Sequence, residues 1–90
     1  MKIEFDDNKN QLNICERGLS FQSAAEFDFE TALIIEDDRR DYGETRYRAL
    51  GLISGRLHAL VFTETVDGIR VISLRKANQR EVKRYEQAQP

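Results

Sequence analysis

The sequence is poor in cysteine, histidine, proline and tryptophan, and these shortages exclude several classes of protein. Its 90 residues include one Cys, one His, one Pro and no Trp. A lone Cys15 excludes an internal disulfide, and one Cys with one His cannot supply the ligands of a structural zinc site. No apolar run approaches the roughly 18 residues of a membrane span, and the charged start MKIEFDDNKN lacks the apolar core of a signal peptide. We therefore expect a cytoplasmic protein with no membrane anchor.

The composition indicates one small folded domain with an uneven distribution of charge. The chain is 40% hydrophobic and 33% charged, which is typical of a compact α/β or α+β domain, and 1–90 is too short for two domains. Residues 1–45 hold 5 Lys/Arg and 12 Asp/Glu, whereas residues 46–90 hold 9 and 4, within a net charge of −2. A solvated surface explains part of this imbalance, but a basic half built on strands can also bind a polyanion.

The N-terminal half predicts a short edge strand, two helices and a further strand. KIEF is the edge strand, and the first helix follows with Asp6 or Asp7 as N-cap, Leu12 and Cys15 on one face, and Gly18 as its C-terminal stop. Ser20 can cap a second helix, FQSAAEFDF, whose apolar residues recur at helical spacing and indicate a face packed on the core. TALIIE reads as a strand, and DDRRDYGET as the polar loop after it.

The C-terminal half predicts a three-stranded antiparallel meander followed by a helix. RYRALGLI meets RLHALVFTE across Ser54-Gly55, and that strand meets IRVISLRK across Asp67-Gly68, at the spacing of tight hairpins. Asn78 and Glu81 form a capping-box pattern at the start of the last helix. The predicted fold class is therefore α+β: a small antiparallel sheet, made of the meander and one or two edge strands, flanked by two N-terminal helices and one C-terminal helix.

The last strand carries the residues that best suit an anion. Strict alternation, with no bulge, places Val71, Ser73 and Arg75 on one face and Arg70, Ile72, Leu74 and Lys76 on the other. Arginine offers a planar fork of donors that suits a phosphodiester, and Arg46 or Arg48 on a neighbouring strand can join such a site. The alternative is that these arginines neutralise carboxylates of the acidic half or keep strand edges soluble.

Other chemistries receive less support from the residues. His58 is the sole histidine and a possible general acid or base, but its place in the middle of a strand favours a partly buried structural role. The carboxylates of EDDRRDYGE lack the spacing of an EF-hand. Cys15 has no His near it in the sequence, so we expect a small buried hydrophobic residue.

In three segments the chain resembles the BrnT toxins, the DUF497 family of type II toxin–antitoxin systems. The segments are EFDDNKNQLNICERGLSFQSAAEF, ETRYRALGLISGRLHALVFTE and IRVISLRKANQREVKRYE. The resemblance implies a RelE-like fold and a metal-independent endoribonuclease activity that inhibits translation. It also implies a BrnA-type antitoxin partner, through which alone the toxin contacts DNA.

The resemblance also assigns residues. The family's recurring Arg falls on Arg46, its R-x-I-S-x-R strand on Arg70, Ser73 and Arg75, and its Ala-Asn helix start on Ala77 and Asn78. Glu81 and Tyr85 match the last helix of the family. Many members read Lys-His-Gly where this chain has Glu16-Arg17-Gly18, so Arg17 stands where a histidine is common, and arginine cannot exchange a proton at neutral pH.

Two functional hypotheses follow. The first is an endoribonuclease with no metal and no cofactor, in which the neighbouring 2′-hydroxyl of the RNA is the nucleophile. Its candidate catalytic residues are Arg46, Arg70, Ser73, Arg75 and His58, and its candidate RNA-binding residues are Arg48, Lys76, Asn78, Arg80, Lys83 and Arg84. The second is a non-catalytic antitoxin-binding module in a repressor complex, with the basic face receiving an acidic segment of the partner.

Overall fold

The computed structural model of the protein describes residues 1–89 and contains one five-stranded sheet. The strands are β1 (Lys2–Phe5), β2 (Leu33–Asp37), β3 (Arg46–Ile53), β4 (Arg56–Glu64) and β5 (Gly68–Lys76), and the helices are α1 (Asp7–Arg17), a 3₁₀ helix (Phe21–Glu26) and α2 (Gln79–Ala88). The strand order is β1-β5-β4-β3-β2, so β1 and β2 lie at the two edges. The α+β class and the two edge strands are confirmed.

The sheet is mixed, which corrects the prediction of an antiparallel sheet. Strands β2 to β5 form an antiparallel meander of four strands, one more than predicted, while β1 pairs with β5 in parallel. The parallel register sets Ile3 opposite Ile69 and Phe5 opposite Val71. This pairing brings the two apolar side chains of β1 against the same core as their partners, which explains why the chain start returns to the last strand.

Helix α1 has the predicted caps, but its Cys15 is not buried. Asp6 caps its start, and Gly18 ends it with a left-handed φ of 66°. Leu12 and Cys15 are both exposed, so the expectation of a buried Cys15 is wrong. The buried residues are Asn10 and Asn13, because their amides satisfy backbone groups that apolar side chains would leave unpaired.

The second helix is a 3₁₀ helix rather than the predicted α-helix. Ser20 caps it as expected and accepts a hydrogen bond from the N–H of Gln22. Phe21, Ala24 and Phe27 are all buried, and this spacing of three matches the three residues per turn of a 3₁₀ helix. The segment therefore packs on the core as predicted, with a tighter helical period.

One of the two predicted hairpin turns is confirmed and the other is shifted. Ser54 and Gly55 form the β3–β4 turn, with φ of 49° and 77°, and the flanking Ile53 and Arg56 are paired. In the β4–β5 turn the N–H of Thr65 donates to the carbonyl of Gly68, so Val66-Asp67 occupy the turn and not Asp67-Gly68. Gly68 instead starts β5 at a point where a Cβ would collide with the backbone of Lys2.

The sheet has two unequal faces. The first face, which carries the fully buried Leu60 and Leu74, is covered by a core that includes the 3₁₀ helix. The second face carries Ala59 and meets α2, whose Tyr85 is buried and whose Val82 packs beside it. None of the helices within residues 1–89 is long and apolar enough to span a membrane.

Candidate functional site

A β-bulge in β5 determines which side chains reach the second face. Val61 pairs with Ser73, whereas the next residue of β4, Phe62, pairs with Val71, which leaves Ile72 as an extra residue. A bulge of this kind interrupts the alternation of side chains and often occurs beside functional sites. Val71 and Leu74 therefore share the first face, and the predicted placement of Ile72 on one face with Leu74 is wrong, because Ile72 is the extra residue and is only half-buried.

The bulge also brings Arg70 to the same side as Ser73 and Arg75. Strict alternation had placed Arg70 opposite these two residues. In the observed register Arg70 pairs with Thr63 and Ser73 with Val61, and both partners belong to the second face because they alternate with Phe62. The predicted grouping of the two arginines of β5 therefore depends on one inserted residue.

Glu44 connects the arginines of two non-adjacent strands. Its Oε2 lies 3.0 Å from the Nε of Arg46 on β3, and its Oε1 lies 2.6 Å from a terminal nitrogen of Arg70 on β5. The hydrogen bonds from Arg70 and then Arg46 lower the pKa of this carboxyl. Glu44 therefore stays ionised at neutral pH and holds both guanidinium groups at one end of the second face.

Arg75 and Glu81 form a bidentate ion pair at the other end. The two terminal nitrogens of Arg75 lie 2.8 and 2.9 Å from the two carboxylate oxygens of Glu81. Glu81 also accepts from the N–H of Asn78, and Asn78 accepts from the N–H of Glu81, which completes the predicted capping box. The Arg75 hydrogen bonds lower the pKa of Glu81, so one carboxylate fixes both the guanidinium and the start of α2.

A third acidic centre, Asp37, stands at the end of β2. Arg39 donates to it through two nitrogens at 2.7 and 2.8 Å, and the hydroxyl of Tyr42 donates at 3.2 Å. The Arg39 hydrogen bond, opposed by burial, holds the pKa of Asp37 far below its usual range. The Nε of Arg48 lies 4.0 Å from the same carboxylate and has no hydrogen-bond partner. Arg46 lies over the ring of Tyr42, 4.2 Å from its centroid.

These groups surround a cavity of about 400 Å³ on the second face, between α2 and the loop after β2. Arginines from four elements line it: Arg39 from the loop, Arg46 and Arg48 from β3, Arg75 from β5 and Arg84 from α2. Ser73 lines it as well. We call the five arginines the arginine rim. The cavity can bind an anion, because its arginines outnumber its lining carboxylates, Asp37 and Glu81.

Several predicted residues lie elsewhere. His58 is 4% exposed and alternates with Leu60, which places it on the first face, where its Nδ1 lies 2.8 Å from the carbonyl oxygen of Arg56. Lys76 pairs with His58 across the strands and shares that face. Arg80 and Lys83 are exposed on α2 and do not line the cavity. Arg17 donates to Asn13 on α1 and is likewise outside the cavity.

Residues at and after the end of β2 make contacts that no sequence pattern assigned to the site. Asp37, Tyr42 and Glu44 lie in a stretch that was read as a polar loop and weighed as a metal site, yet each contacts an arginine of the site. The alternative that the arginines neutralise carboxylates of the acidic half is confirmed for Arg46 and Arg70, which both bind Glu44. Within residues 1–89, no group of three or more His, Cys, Asp or Glu is arranged to hold a metal ion. The available signal was the pairing of an acidic loop with the basic strand that follows it.

The comparison with protein families gives a match over most of the chain. A family model described as the ribonuclease toxin BrnT of type II toxin–antitoxin systems matches residues 5–81. No curated protein and no solved structure matches the chain. The matched segment runs from the last residue of β1 to the start of α2, and so contains every residue of the arginine rim except Arg84.

Proposed function

The chain belongs to the BrnT family of type II toxin–antitoxin ribonuclease toxins, and we propose that its second face is a metal-independent endoribonuclease site. The observation that carries this proposal is the cavity whose rim combines five arginines with Ser73. A phosphodiester is an anion that gains charge on its non-bridging oxygens in the transition state. Arginine forks placed around such a group stabilise that charge without a metal ion.

Arg46 and Arg75 are proposed to hold the scissile phosphate, with Arg70 acting beside them through Glu44. Arg46 and Arg75 both line the cavity, and their carboxylate partners orient them from opposite ends. Ser73 lies two residues before Arg75 on β5, and we propose that its hydroxyl positions a phosphate oxygen. Arg48 has an unpaired buried Nε near the same cavity, which supplies a further donor.

The proposed reaction is an internal transesterification. The 2′-oxygen of the RNA forms a bond to phosphorus and loses its proton, while the bond from phosphorus to the 5′-oxygen breaks and that oxygen gains a proton. The products are a 2′,3′-cyclic phosphate and a free 5′-hydroxyl. DNA lacks the nucleophile, so RNA is the substrate.

The site favours electrostatic stabilisation over acid–base catalysis. The carboxyls of Asp37 and Glu81 have lowered pKa values because of their arginine hydrogen bonds, so both are weak bases at neutral pH. His58 lies on the first face and contributes no proton transfer to this cavity. We therefore assign the main role to charge and positioning, which serves a toxin because a few cuts in messenger RNA suffice to inhibit translation in the cytoplasm.

Arg75 provides the direct test. Purified protein is incubated with single-stranded RNA in EDTA and compared with Arg75→Ala and with Arg56→Ala, which removes an exposed arginine outside the cavity. We expect Arg75→Ala to reduce the cleavage rate about 100-fold, the typical loss of one preorganised donor, and Arg56→Ala to retain it. Equal cleavage by all three, or cleavage by none, contradicts the catalytic assignment.

A second function, binding of an acidic antitoxin without catalysis, is favoured by one observation. Arg46, Arg70 and Arg75 already bind carboxylates of this chain, so the same forks suit the carboxylates of a BrnA-type partner. Expression of the gene alone and together with the neighbouring small reading frame separates the two functions. Growth arrest that the neighbour relieves supports the toxin, whereas stable co-purification without arrest supports a binding module in a repressor complex.

A further inference from the structure

The cavity has an apolar floor that is left uncovered, although it lies in the middle of the sheet. Val61 on the central strand β4 and Ile72 on β5 are only half-buried, and both line the cavity. Leu33, Ile35, Leu50 and Ala59 line it as well. Apolar side chains on central strands are normally covered, and leaving them in water forgoes hydrophobic stabilisation. We call these six residues the apolar floor.

The uncovered floor results from the length and position of α2. This helix packs Tyr85 and Val82 against Leu57 and against Leu50, the one buried residue of the floor, and so covers only one end of the second face. The bulge at Ile72 adds an apolar side chain to the part left open. No other helix in residues 1–89 lines this cavity, so the floor is available to a ligand.

The combination of an apolar floor with a cationic rim fits a ligand that is both planar and anionic. A phosphate group alone would use the arginine rim and leave the floor in water. A volume of about 400 Å³ falls within the roughly 300–1,000 Å³ of small-molecule sites, which are mostly apolar with a few polar groups that fix orientation. A nucleobase joined to its phosphate provides both parts.

We propose that the apolar floor binds one unstacked nucleobase while the arginine rim holds the adjoining phosphates. This inference rests on the proposed ribonuclease function and names its substrate more closely. A base can enter the floor only if it leaves its neighbours in the strand, which is inexpensive in single-stranded RNA and costs pairing energy in a duplex. The cavity therefore selects single-stranded RNA and rejects the same sequence in a duplex.

Two small probes separate the floor from the rim. Adenosine 5′-monophosphate carries a base and a phosphate, whereas ribose 5-phosphate carries only the sugar and the phosphate. We expect calorimetry to show that the nucleotide binds about tenfold more tightly, because only the nucleotide buries apolar surface on the floor. Equal affinity of the two probes, including no binding of either, would overturn the proposal.

A substitution at Val61 tests the place of the base. Val61→Phe fills the floor, and we expect it to lower the affinity for the nucleotide to that for ribose 5-phosphate. Ile34→Phe is the matched control, because Ile34 is exposed on β2 and does not line the cavity. Circular dichroism checks the fold, and Ile72→Phe replaces Val61→Phe if the latter does not fold. Equal nucleotide affinity in wild type and the filled-floor variant overturns the placement.

The outcomes distinguish this proposal from the function on which it rests. If the nucleotide binds more tightly than ribose 5-phosphate but RNA is not cleaved, the ribonuclease function is contradicted and the base-binding role of the floor stands. If RNA is cleaved but the two probes bind with equal affinity, the role of the floor is contradicted and the ribonuclease function stands. Equal cleavage rates for an RNA strand and its duplex also contradict the floor, because a paired base cannot enter it.

Discussion

The carboxylate of Glu44 accepts a 2.6 Å hydrogen bond from Arg70, a residue 26 positions later in the chain. Because the same carboxylate also binds Arg46, it joins the arginines of β3 and β5 across the intervening strand β4. One loop residue thus sets the spacing of two cationic groups that belong to different strands.

Replacing Glu44 should separate binding from catalysis. Glu44→Ala removes one negative charge and releases both arginines, so we expect RNA to bind more tightly, with a lower KM. We also expect kcat to fall about tenfold, because the guanidinium groups lose their fixed positions. Steady-state cleavage kinetics measure both quantities. Asp38→Ala, an exposed acid of the same loop, is the control, and an unchanged kcat in Glu44→Ala would contradict the positioning role.

Local signals in the sequence predicted the elements better than the site. Asn78 with Glu81 marks the start of α2, and Ser54-Gly55 marks a tight turn, because each depends on neighbouring residues only. The bulge at Ile72 had no such signal. Val71, Ile72 and Leu74 are all apolar, so the pattern fits either face until the pairing with β4 is known. The parallel pairing of β1 with β5 also joins residues that are far apart in the sequence.

The candidate site was predicted in part for the same reason. Arg46, Ser73 and Arg75 were selected from charge, strand alternation and family resemblance, and the structure brings them to one cavity. Neutralisation of the arginines by acidic residues was one of the alternatives, but which carboxylate binds which arginine could not be inferred, since a pair such as Glu44 and Arg70 depends on the fold of the loop. His58 was a candidate because of its chemistry, and the strand register places it on the other face.

The ion pair of Arg75 and Glu81 predicts a pH dependence of stability. The pKa of Glu81 is lowered from an ordinary 4.5 by its hydrogen bonds, first with Arg75. A group whose pKa is lower in the folded state stabilises the fold above its unfolded pKa, and this contribution is lost as the pH falls through the folded value. The free energy of unfolding of the wild type, measured in urea, should therefore decrease below about pH 4.5, and it should decrease less in Glu81→Gln. Glu86→Gln, on the same helix, should follow wild type. Identical pH profiles for all three would contradict this role.

Removing the cap of α2 should lower the stability of the protein without lowering its cleavage rate. The side chain of Asn78 accepts from the N–H of Glu81 at 2.9 Å, which makes its observed role that of a helix cap. Asn78→Ala should lower the free energy of unfolding by about 1 kcal/mol, measured by urea denaturation. Gln79→Ala, one residue later and exposed, should change it little. If the free energy of RNA binding falls by more than the free energy of unfolding, Asn78 contacts RNA directly.

His58 should be structural. It is 4% exposed, and its Nδ1 lies 2.8 Å from the carbonyl oxygen of Arg56. We expect His58→Ala to lower the free energy of unfolding by about 1–3 kcal/mol, as buried substitutions commonly do. The cleavage rate per folded molecule should not change, and the pH–rate profiles of the variant and the wild type should coincide. A loss of rate in folded His58→Ala would place a proton transfer on this residue.

Arg17 stands where many members of the family have a histidine, and the structure predicts that restoring that histidine gains nothing here. The guanidinium of Arg17 donates to Asn13 at 3.0 Å, and Asn13 in turn donates to the carbonyl of Leu74, which ties α1 to the backbone of β5. A histidine side chain at position 17 therefore lies at the exposed end of α1, outside the cavity. We expect Arg17→His to cleave RNA at the wild-type rate and with the wild-type pH profile, because proton transfer requires hydrogen-bond reach of the reacting atoms.

Arg46→His, inside the arginine rim, is the comparison and should lose rate as the pH rises above about 6.5, where the imidazole loses its charge. A faster Arg17→His enzyme would show that the end of α1 reaches the substrate when RNA is bound.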